Sequence, residues 1–159
     1  MELFVLRHGQ AETMARRDQD RQLTPLGRRQ VSNIVNANRS SLESLGHMLV
    51  SPYIRAQQTA DIVADTLALQ LPNLETQTTE LLTPEGNIDA LCRLLEPYSE
   101  QSVLLVSHQP LVGTFVNWLC GLVPGRYNMG TATLACIDTE LLVSDFGQLR
   151  WLCHPESHL

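Results

Sequence analysis

Short, mostly apolar runs alternate along the chain with longer segments whose apolar residues recur at helical spacing. The runs at Leu3–Leu6, His47–Val50 and Val103–Val106 are each bounded by turn-forming or polar residues, which is typical of buried strands. The segments that follow the second and third runs, 53–69 and 111–120, repeat apolar side chains every three or four residues and predict helices. Further helices are predicted from Thr24 to about Asn38 and over Ile88–Leu95, and later strands over Thr131–Ile137 and Gln148–Leu152.

This alternation predicts an α/β fold, a three-layer sandwich with a mainly parallel central sheet flanked by helices. A chain of 159 residues is long enough to bury one core. Since no repeat or linker divides it, we expect a single domain over residues 1–159. In open parallel sheets, ligands bind outside the carboxyl ends of the strands, so we call that edge the rim and examine the residues that fall there.

Four basic side chains fall at the predicted rim. Arg7 and His8 follow the first strand, where Gly9 permits a sharp turn. Arg55 lies in the first turn of the helix after the second strand, and His108 follows the third strand. Two guanidinium groups repel each other unless an anion joins them, and phosphate accepts their paired donors.

These residues predict a phosphate site made of Arg7, His8, Arg55 and His108, which both bind the substrate and catalyse its reaction. His8 would attack phosphorus in line to form a phosphohistidine, which water then hydrolyses. The two arginines and His108 would stabilise the charge on the equatorial phosphoryl oxygens. Because the arginines supply the positive charge, we expect no metal and no other cofactor.

Composition narrows the class of protein. The net charge of −6 argues against nonspecific binding to nucleic acid. Residues 1–55 hold eight arginines against five acidic residues, an excess that would attract an anionic substrate to one rim but is equally typical of solvated helix faces. No apolar run approaches the roughly 20 residues that span a bilayer, and the N-terminus lacks the pattern of a signal peptide. We expect a cytoplasmic protein that binds no membrane, with its four widely spaced cysteines reduced.

Four motifs occur in order along the chain: Leu-Arg-His-Gly-Gln-Ala-Glu at 6–12, Arg-Gln-Leu-Thr-Pro-Leu-Gly at 21–27, Ser-Pro-Tyr-Ile-Arg-Ala-Gln-Gln-Thr-Ala at 51–60 and Val-Ser-His-Gln-Pro-Leu-Val-Gly at 106–113. They resemble the histidine phosphatase superfamily, also called phosphoglycerate-mutase-like, and within it the SixA-type branch of phosphohistidine phosphatases. The resemblance implies that His8 is the phosphorylated nucleophile and that Arg7, Arg55 and His108 complete the phosphate pocket. It also implies a phosphohistidine-bearing partner, such as a histidine phosphotransfer domain or a phosphocarrier protein.

Whether Glu80 acts as a general acid distinguishes two substrate classes. Ester-cleaving members of the superfamily usually have a carboxylic acid that protonates the leaving oxygen, and Glu80 is the candidate by position. Imidazole leaves without such help because its pKa lies near 6.5. We therefore expect the substrate to be phosphohistidine on a signalling or phosphotransfer protein. The alternative is a general phosphomonoesterase or phosphomutase that acts on small phosphorylated metabolites.

Two further interpretations use other features. Cys120 and Arg126 have the Cys-x5-Arg spacing of cysteine-dependent phosphatases. That chemistry needs the cysteine at the end of a strand, whereas Cys120 ends a predicted helix and Gly121 is its stop signal. A phosphate-binding module without turnover is the non-enzyme alternative, but no residue in the sequence favours it.

Overall fold

The computed structural model of the chain describes residues 1–155, so the last four residues of the predicted 1–159 domain lie outside the described residues. Six strands form one sheet: β1 (Glu2–Arg7), β2 (His47–Val50), β3 (Glu75–Thr78), β4 (Ser102–Ser107), β5 (Leu134–Asp138) and β6 (Gln148–Cys153). The helices are α1 (Pro25–Ala37), α2 (Ile54–Thr66), α3 (Ile88–Leu95) and α4 (Leu111–Leu119). Short 3-10 turns occur at Asp18–Asp20, Glu80–Leu82 and Glu96–Tyr98.

The strand order is β3-β2-β4-β1-β5-β6. The pairs β3/β2, β2/β4 and β4/β1 are parallel, whereas β5 runs antiparallel to both β1 and β6. The predicted mainly parallel sheet is therefore confirmed. The four strands β1 to β4 point the same way, so their carboxyl ends lie at one rim.

Side-chain alternation along β1 divides the core into two layers. Phe4 and Leu6 pack on one face of the sheet with the buried side chains of α1 and α2. Leu3 and Val5 pack on the other face with the buried side chains of α3 and α4. Successive residues of a strand point to opposite faces, so both faces of β1 are covered. This arrangement is the three-layer sandwich that the sequence predicts.

The helices that follow β1 and β4 lie on opposite faces of the sheet. Because α1 packs on one face and α4 on the other, the chain leaves these two neighbouring strands in opposite directions. Such a switch point opens a crevice at the carboxyl ends of the two strands, which is where open α/β sheets bind ligands. The fold therefore places the crevice between the residues after β1 and the residues after β4.

Helix starts follow the sequence signals only in part. Thr24 is the N-cap of α1, as predicted, and its Oγ1 accepts a hydrogen bond of 3.0 Å from the Gly27 N–H. The prolines before α2 and α4 do not occupy the first helical position, which proline commonly takes. Pro110 is the N-cap of α4, and Pro52 lies one residue before the N-cap of α2.

One strand was not predicted. β3 is a four-residue edge strand whose residues, Glu-Thr-Gln-Thr, are all exposed, so it carries no apolar pattern. It exists because its backbone pairs in register with β2, from His47 opposite Glu75 to Val50 opposite Thr78. No helix within residues 1–155 is long and apolar enough to cross a membrane.

Candidate active site

The two rim histidines are neighbours because the strands that precede them are paired. Arg7 at the end of β1 lies opposite Ser107 at the end of β4, and the His8 N–H continues the ladder by donating to the Ser107 carbonyl at 3.1 Å. The imidazole rings of His8 and His108 consequently lie with their centroids 5.1 Å apart. Both side chains are buried, with 5% and 1% of their surfaces exposed.

His8 is held in one tautomer by its own loop. Its Nδ1 lies 2.7 Å from the Gly9 carbonyl oxygen, which accepts hydrogen bonds but cannot donate one, so Nδ1 carries the proton. The lone pair is then on Nε2, which accepts a hydrogen bond of 3.2 Å from Arg55 Nε. Burial, reinforced by the positive charges of Arg55 and Arg7, lowers the pKa of His8 to about 3 despite the opposing Gly9 contact. His8 is therefore a neutral base whose lone pair lies on Nε2.

Arg55 is oriented by the loop that contains Asp18. Its Nη1 donates to the Asp18 carbonyl oxygen at 2.7 Å, and its Nη2 pairs with the Asp18 carboxylate at 3.2 Å. The same carboxylate accepts from Arg21 Nε at 2.9 Å, so one acidic side chain joins two arginines. The Arg55 guanidinium also lies over the ring of Tyr53, 5.1 Å from its centroid. These contacts fix the guanidinium against His8 before any substrate is bound.

His108 is held by Ser51, the residue that follows β2. His108 Nε2 and Ser51 Oγ are 2.6 Å apart, and the edge of the Tyr53 ring lies against the imidazole. Burial, with the adjacent His8 and Arg55, lowers the pKa of His108 to about 2. The neutral ring keeps its second nitrogen, Nδ1, for another partner.

Two nitrogens of the site are buried without a hydrogen-bond partner among residues 1–155. They are Arg7 Nε and His108 Nδ1, and only one other side-chain atom of the described chain shares that property. The Arg7 guanidinium is anchored through Nη1 to the Met129 carbonyl at 3.1 Å. Buried polar groups are almost always hydrogen-bonded, so the unpaired nitrogens beside His8 are positions where a bound ligand would supply the missing partner.

Close backbone packing fixes the loop after β1, which contains His8. A Cβ atom on Gly27 of α1 would overlap the carbonyl oxygen of Gln10, so the loop after β1 approaches the helix more closely than any side chain permits. The Gly9 N–H donates to Thr59 Oγ1 on α2 at 3.2 Å, and that hydroxyl donates to the Arg55 carbonyl at 2.8 Å. The loop after β1 is thereby joined to both helices on its face.

Glu80 lies near the rim but is not bound to the site. It begins the 3-10 turn after β3, and this turn adjoins the end of β4 because Ser107 Oγ donates to the Leu82 carbonyl at 2.6 Å. The Glu80 side chain is exposed and forms neither a hydrogen bond nor an ion pair within residues 1–155.

All four residues predicted for the site lie together at the rim. The residues that support them are not predicted: Ser51 and Thr59 lie in the motif at 51–60 but have no predicted role, and Asp18 lies between two motifs. Arg21 has no predicted role beyond its place at the start of the motif at 21–27, yet its positive charge helps to lower the pKa of His8. The signal that was available for Arg21 and Asp18 is their i, i+3 spacing, which suits an ion pair.

The Cys120 interpretation does not meet its geometric requirement. Cys120 is the C-cap of α4 and does not end a strand, and Gly121 with φ of 64° stops the helix. Burial raises the pKa of the Cys120 thiol to about 11, so it is protonated near neutral pH and a poor nucleophile.

Comparison with known proteins agrees with this geometry. The sequence profile of the histidine phosphatase superfamily (branch 1) matches residues 3–82, which include β1, both arginines of the site and His8. The chain belongs to the histidine phosphatase superfamily. It is 40% identical over 129 residues to the phosphohistidine phosphatase SixA homolog of Haemophilus influenzae, covering 76% of this chain and 78% of that protein.

Two further relatives support the SixA-type branch. Phosphohistidine phosphatase SixA of Escherichia coli is 34% identical over 158 residues, which cover 98% of this chain and 94% of that protein. The solved structure of the protein histidine phosphatase SixA complexed with tungstate superposes with a TM-score of 0.86 at 31% identity and covers 98% of this chain and 97% of that one. The predicted resemblance to the superfamily and to its SixA-type branch is thus confirmed.

Proposed function

We propose that this histidine phosphatase superfamily member removes phosphate from phosphohistidine on a signalling or phosphotransfer protein. We assign catalysis and phosphate binding to Arg7, His8, Arg55 and His108. The observation that carries the proposal is the His8 imidazole, which is neutral, bonded through Nδ1 to Gly9 and directed with Nε2 at Arg55. Two relatives, at 40% and 34% identity, are named phosphohistidine phosphatases, and that activity is the one the arrangement serves best.

The first half-reaction transfers the phosphoryl group to His8. Nε2 attacks phosphorus, a new N–P bond forms, and the bond from phosphorus to the substrate imidazole breaks. Arg55 Nε, which donates to Nε2 in the free protein, turns to a phosphoryl oxygen as the lone pair is used. The ring of His8 gains positive charge, and the Gly9 carbonyl stabilises the proton that remains on Nδ1.

The second half-reaction returns His8 to its starting state. Water attacks phosphorus, the bond to Nε2 breaks, and inorganic phosphate leaves. We assign to the unpaired Arg7 Nε, and to His108 Nδ1 carrying its ring's proton, hydrogen bonds donated to phosphoryl oxygens in both steps. Arg7 and Arg55 balance the charge of the transferred group, so these steps need only this chain's side chains and water.

The leaving group explains why phosphohistidine is preferred to an ester. A substrate imidazole protonated on its free nitrogen departs as a neutral ring, and about half of such rings are protonated near pH 6.5. An alkoxide needs a proton from a placed acid. The Glu80 side chain is exposed and forms no hydrogen bond or ion pair among residues 1–155. This supports phosphohistidine over metabolite esters as the substrate.

The test compares two substrates and three proteins. Dephosphorylation rates are measured on a histidine phosphotransfer domain that carries phosphohistidine and on p-nitrophenyl phosphate, with wild type, His8→Ala and Glu80→Gln. We expect fast turnover of the phosphoprotein, slow turnover of the ester, no activity in His8→Ala and full phosphoprotein activity in Glu80→Gln.

Faster ester cleavage that falls in Glu80→Gln would move the protein to the phosphomonoesterase or phosphomutase alternative. Phosphoprotein turnover that survives in His8→Ala would remove His8 as the nucleophile. The cytoplasmic location and the type of phosphoprotein stay predictions, and fractionation of cells and capture of histidine-phosphorylated partners on the His8→Ala protein would test them.

A further inference from the structure

A cleft of about 950 Å³ lies beside Arg7, between α4 and the loop that follows it. One wall is the face of α4 that carries Thr114, Asn117 and Trp118, and the other is the loop 121–128. Arg7 and Gln109 form the end of the cleft nearest the phosphate site. Since Arg7 belongs to both, the cleft is continuous with the place where the substrate's phosphorus must lie.

The cleft is apolar and larger than a phosphate group needs. Trp118, Leu122, Val123 and Pro124 contribute to its walls, and its volume is at the upper end of the range for pockets that enclose drug-sized ligands. Apolar side chains are also exposed around it. Val123 is 67% exposed on one wall, and Phe146, next in sequence to the lining residue Asp145, is 59% exposed. Exposed apolar surface beside a cleft is a mark of a binding surface.

A lining residue also has an unmet hydrogen bond. Asn117 is 9% exposed, and its Oδ1 has no partner within residues 1–155. An unpaired buried acceptor destabilises the fold, so it is usually kept for a ligand or a structural water. A backbone N–H from a segment bound in the cleft would supply the donor once the Asn117 side chain turns toward it.

We propose that the cleft binds the polypeptide that flanks the phosphohistidine of the substrate protein. The occupant carries an apolar side chain close to its phosphohistidine, which packs between Trp118 and Val123, and offers a backbone N–H to Asn117. This inference rests on the proposed function. A small phosphate ester would leave most of the cleft empty, whereas a polypeptide that enters the site at Arg7 must continue along this surface or leave into solvent.

The experiment compares substrates that share the reacting group and differ in what surrounds it. The probes are phosphoimidazole and two short peptides with a central phosphohistidine, one flanked by leucines and the other by serines. Wild type should favour the leucine peptide over the serine peptide by about tenfold in kcat/KM, since burying one large apolar side chain gives at least that factor. Equal rates on the two peptides would overturn the proposal.

Two variants test whether the preference for the leucine peptide arises in the cleft. Val123→Asp should lower the ratio of leucine-peptide to phosphoimidazole kcat/KM about tenfold through KM. Leu69→Asp makes the same change of charge at a fully exposed position after the far end of α2 and should leave the ratio unchanged. A drop in Val123→Asp that is equal on both probes would show a general loss of the site and contradict the proposal.

Asn117→Leu separates a ligand-binding role from a structural one. The variant removes an unpaired buried acceptor, so its melting temperature should equal or exceed that of wild type while its KM for the leucine peptide rises. A lower melting temperature with an unchanged KM would make Asn117 purely structural and overturn its part in the proposal. If wild type dephosphorylates neither the histidine phosphotransfer domain nor any of these probes, the proposed function fails; if it turns over phosphoimidazole and prefers neither peptide, only the cleft proposal fails.

Discussion

Lowering the pH from 7 to 5 should destabilise the protein through two histidines of the site. His8 and His108 stay neutral in the folded protein at both pH values because their pKa values are lowered to about 3 and about 2. In the unfolded chain both titrate near pH 6.5. The unfolded state therefore binds more protons than the folded state between about pH 3 and 6.5, so stability falls as the pH falls through that window.

The magnitude follows from the unfolded state alone. At pH 5 each histidine is 1.5 units below its unfolded pKa, which corresponds to about 2 kcal/mol at 1.36 kcal/mol per unit. The two together should cost about 4 kcal/mol relative to pH 7. The result is insensitive to the folded pKa values, provided that both lie well below 5. In a chain of this size, about 4 kcal/mol lowers the melting temperature by roughly 8–16 °C.

The assay is urea unfolding at pH 7, 6 and 5, with wild type and the double variant His8→Gln, His108→Gln. Other titrating groups contribute equally to both proteins, so the difference between their pH slopes isolates the two histidines. The double variant should lose about 4 kcal/mol less than wild type between pH 7 and 5. Parallel pH profiles for the two proteins would refute the reasoning and show that the folded imidazoles titrate normally.

Three other substitutions test separate contacts. Ser51→Ala removes the 2.6 Å contact to His108 and should lower kcat about tenfold, with a stability loss near 1–3 kcal/mol. An unchanged rate constant in single-turnover assays would contradict this role. Gly27→Ala forces a Cβ into the backbone after β1 and should cost about 1–3 kcal/mol in urea unfolding. Its control is Gly46→Ala, where the nearest atom lies 4.0 Å away, and equal losses in the two would be inconsistent with the clash. Cys120→Ser should retain full phosphatase activity because the thiol is protonated; an inactive, folded variant would restore the Cys120 interpretation.

The sequence predicts the site better than it predicts what supports the site. Arg7, His8 and His108 directly follow apolar strands, so strand recognition and the rule for parallel sheets are enough to bring them together. Asp18 is different, because its contacts with Arg55 depend on the path of an irregular loop through residues 10–23. No periodicity encodes that path, and the short antiparallel bridge between Ala11 and Leu23 forms only after the loop is closed.

Two features that the sequence does not reveal, the strand β3 and the exact helix starts, depend on backbone groups and not on side-chain pattern. β3 is held by backbone hydrogen bonds to β2, and those bonds are indifferent to side-chain type, so Glu75–Thr78 leaves no pattern in the sequence. Pro110 and Pro52 are tolerated at several positions around a helix start, because only the helix interior needs their missing N–H. A proline therefore indicates that a helix begins nearby without fixing its first residue.

The in-register pairing of β1 with β4 has a consequence for how the site tolerates change. Arg7 on β1 is paired with Ser107 on β4, and His8 and His108 are the residues that follow them. The separation of the two imidazole rings, 5.1 Å, is therefore close to the ~4.8 Å spacing of neighbouring strands. That spacing is a property of the polypeptide backbone and does not depend on which side chains fill the core. The strand pairing therefore sets the approximate distance between His8 and His108, which leaves the helices and outer loops free to diverge in sequence while the two imidazoles keep their places.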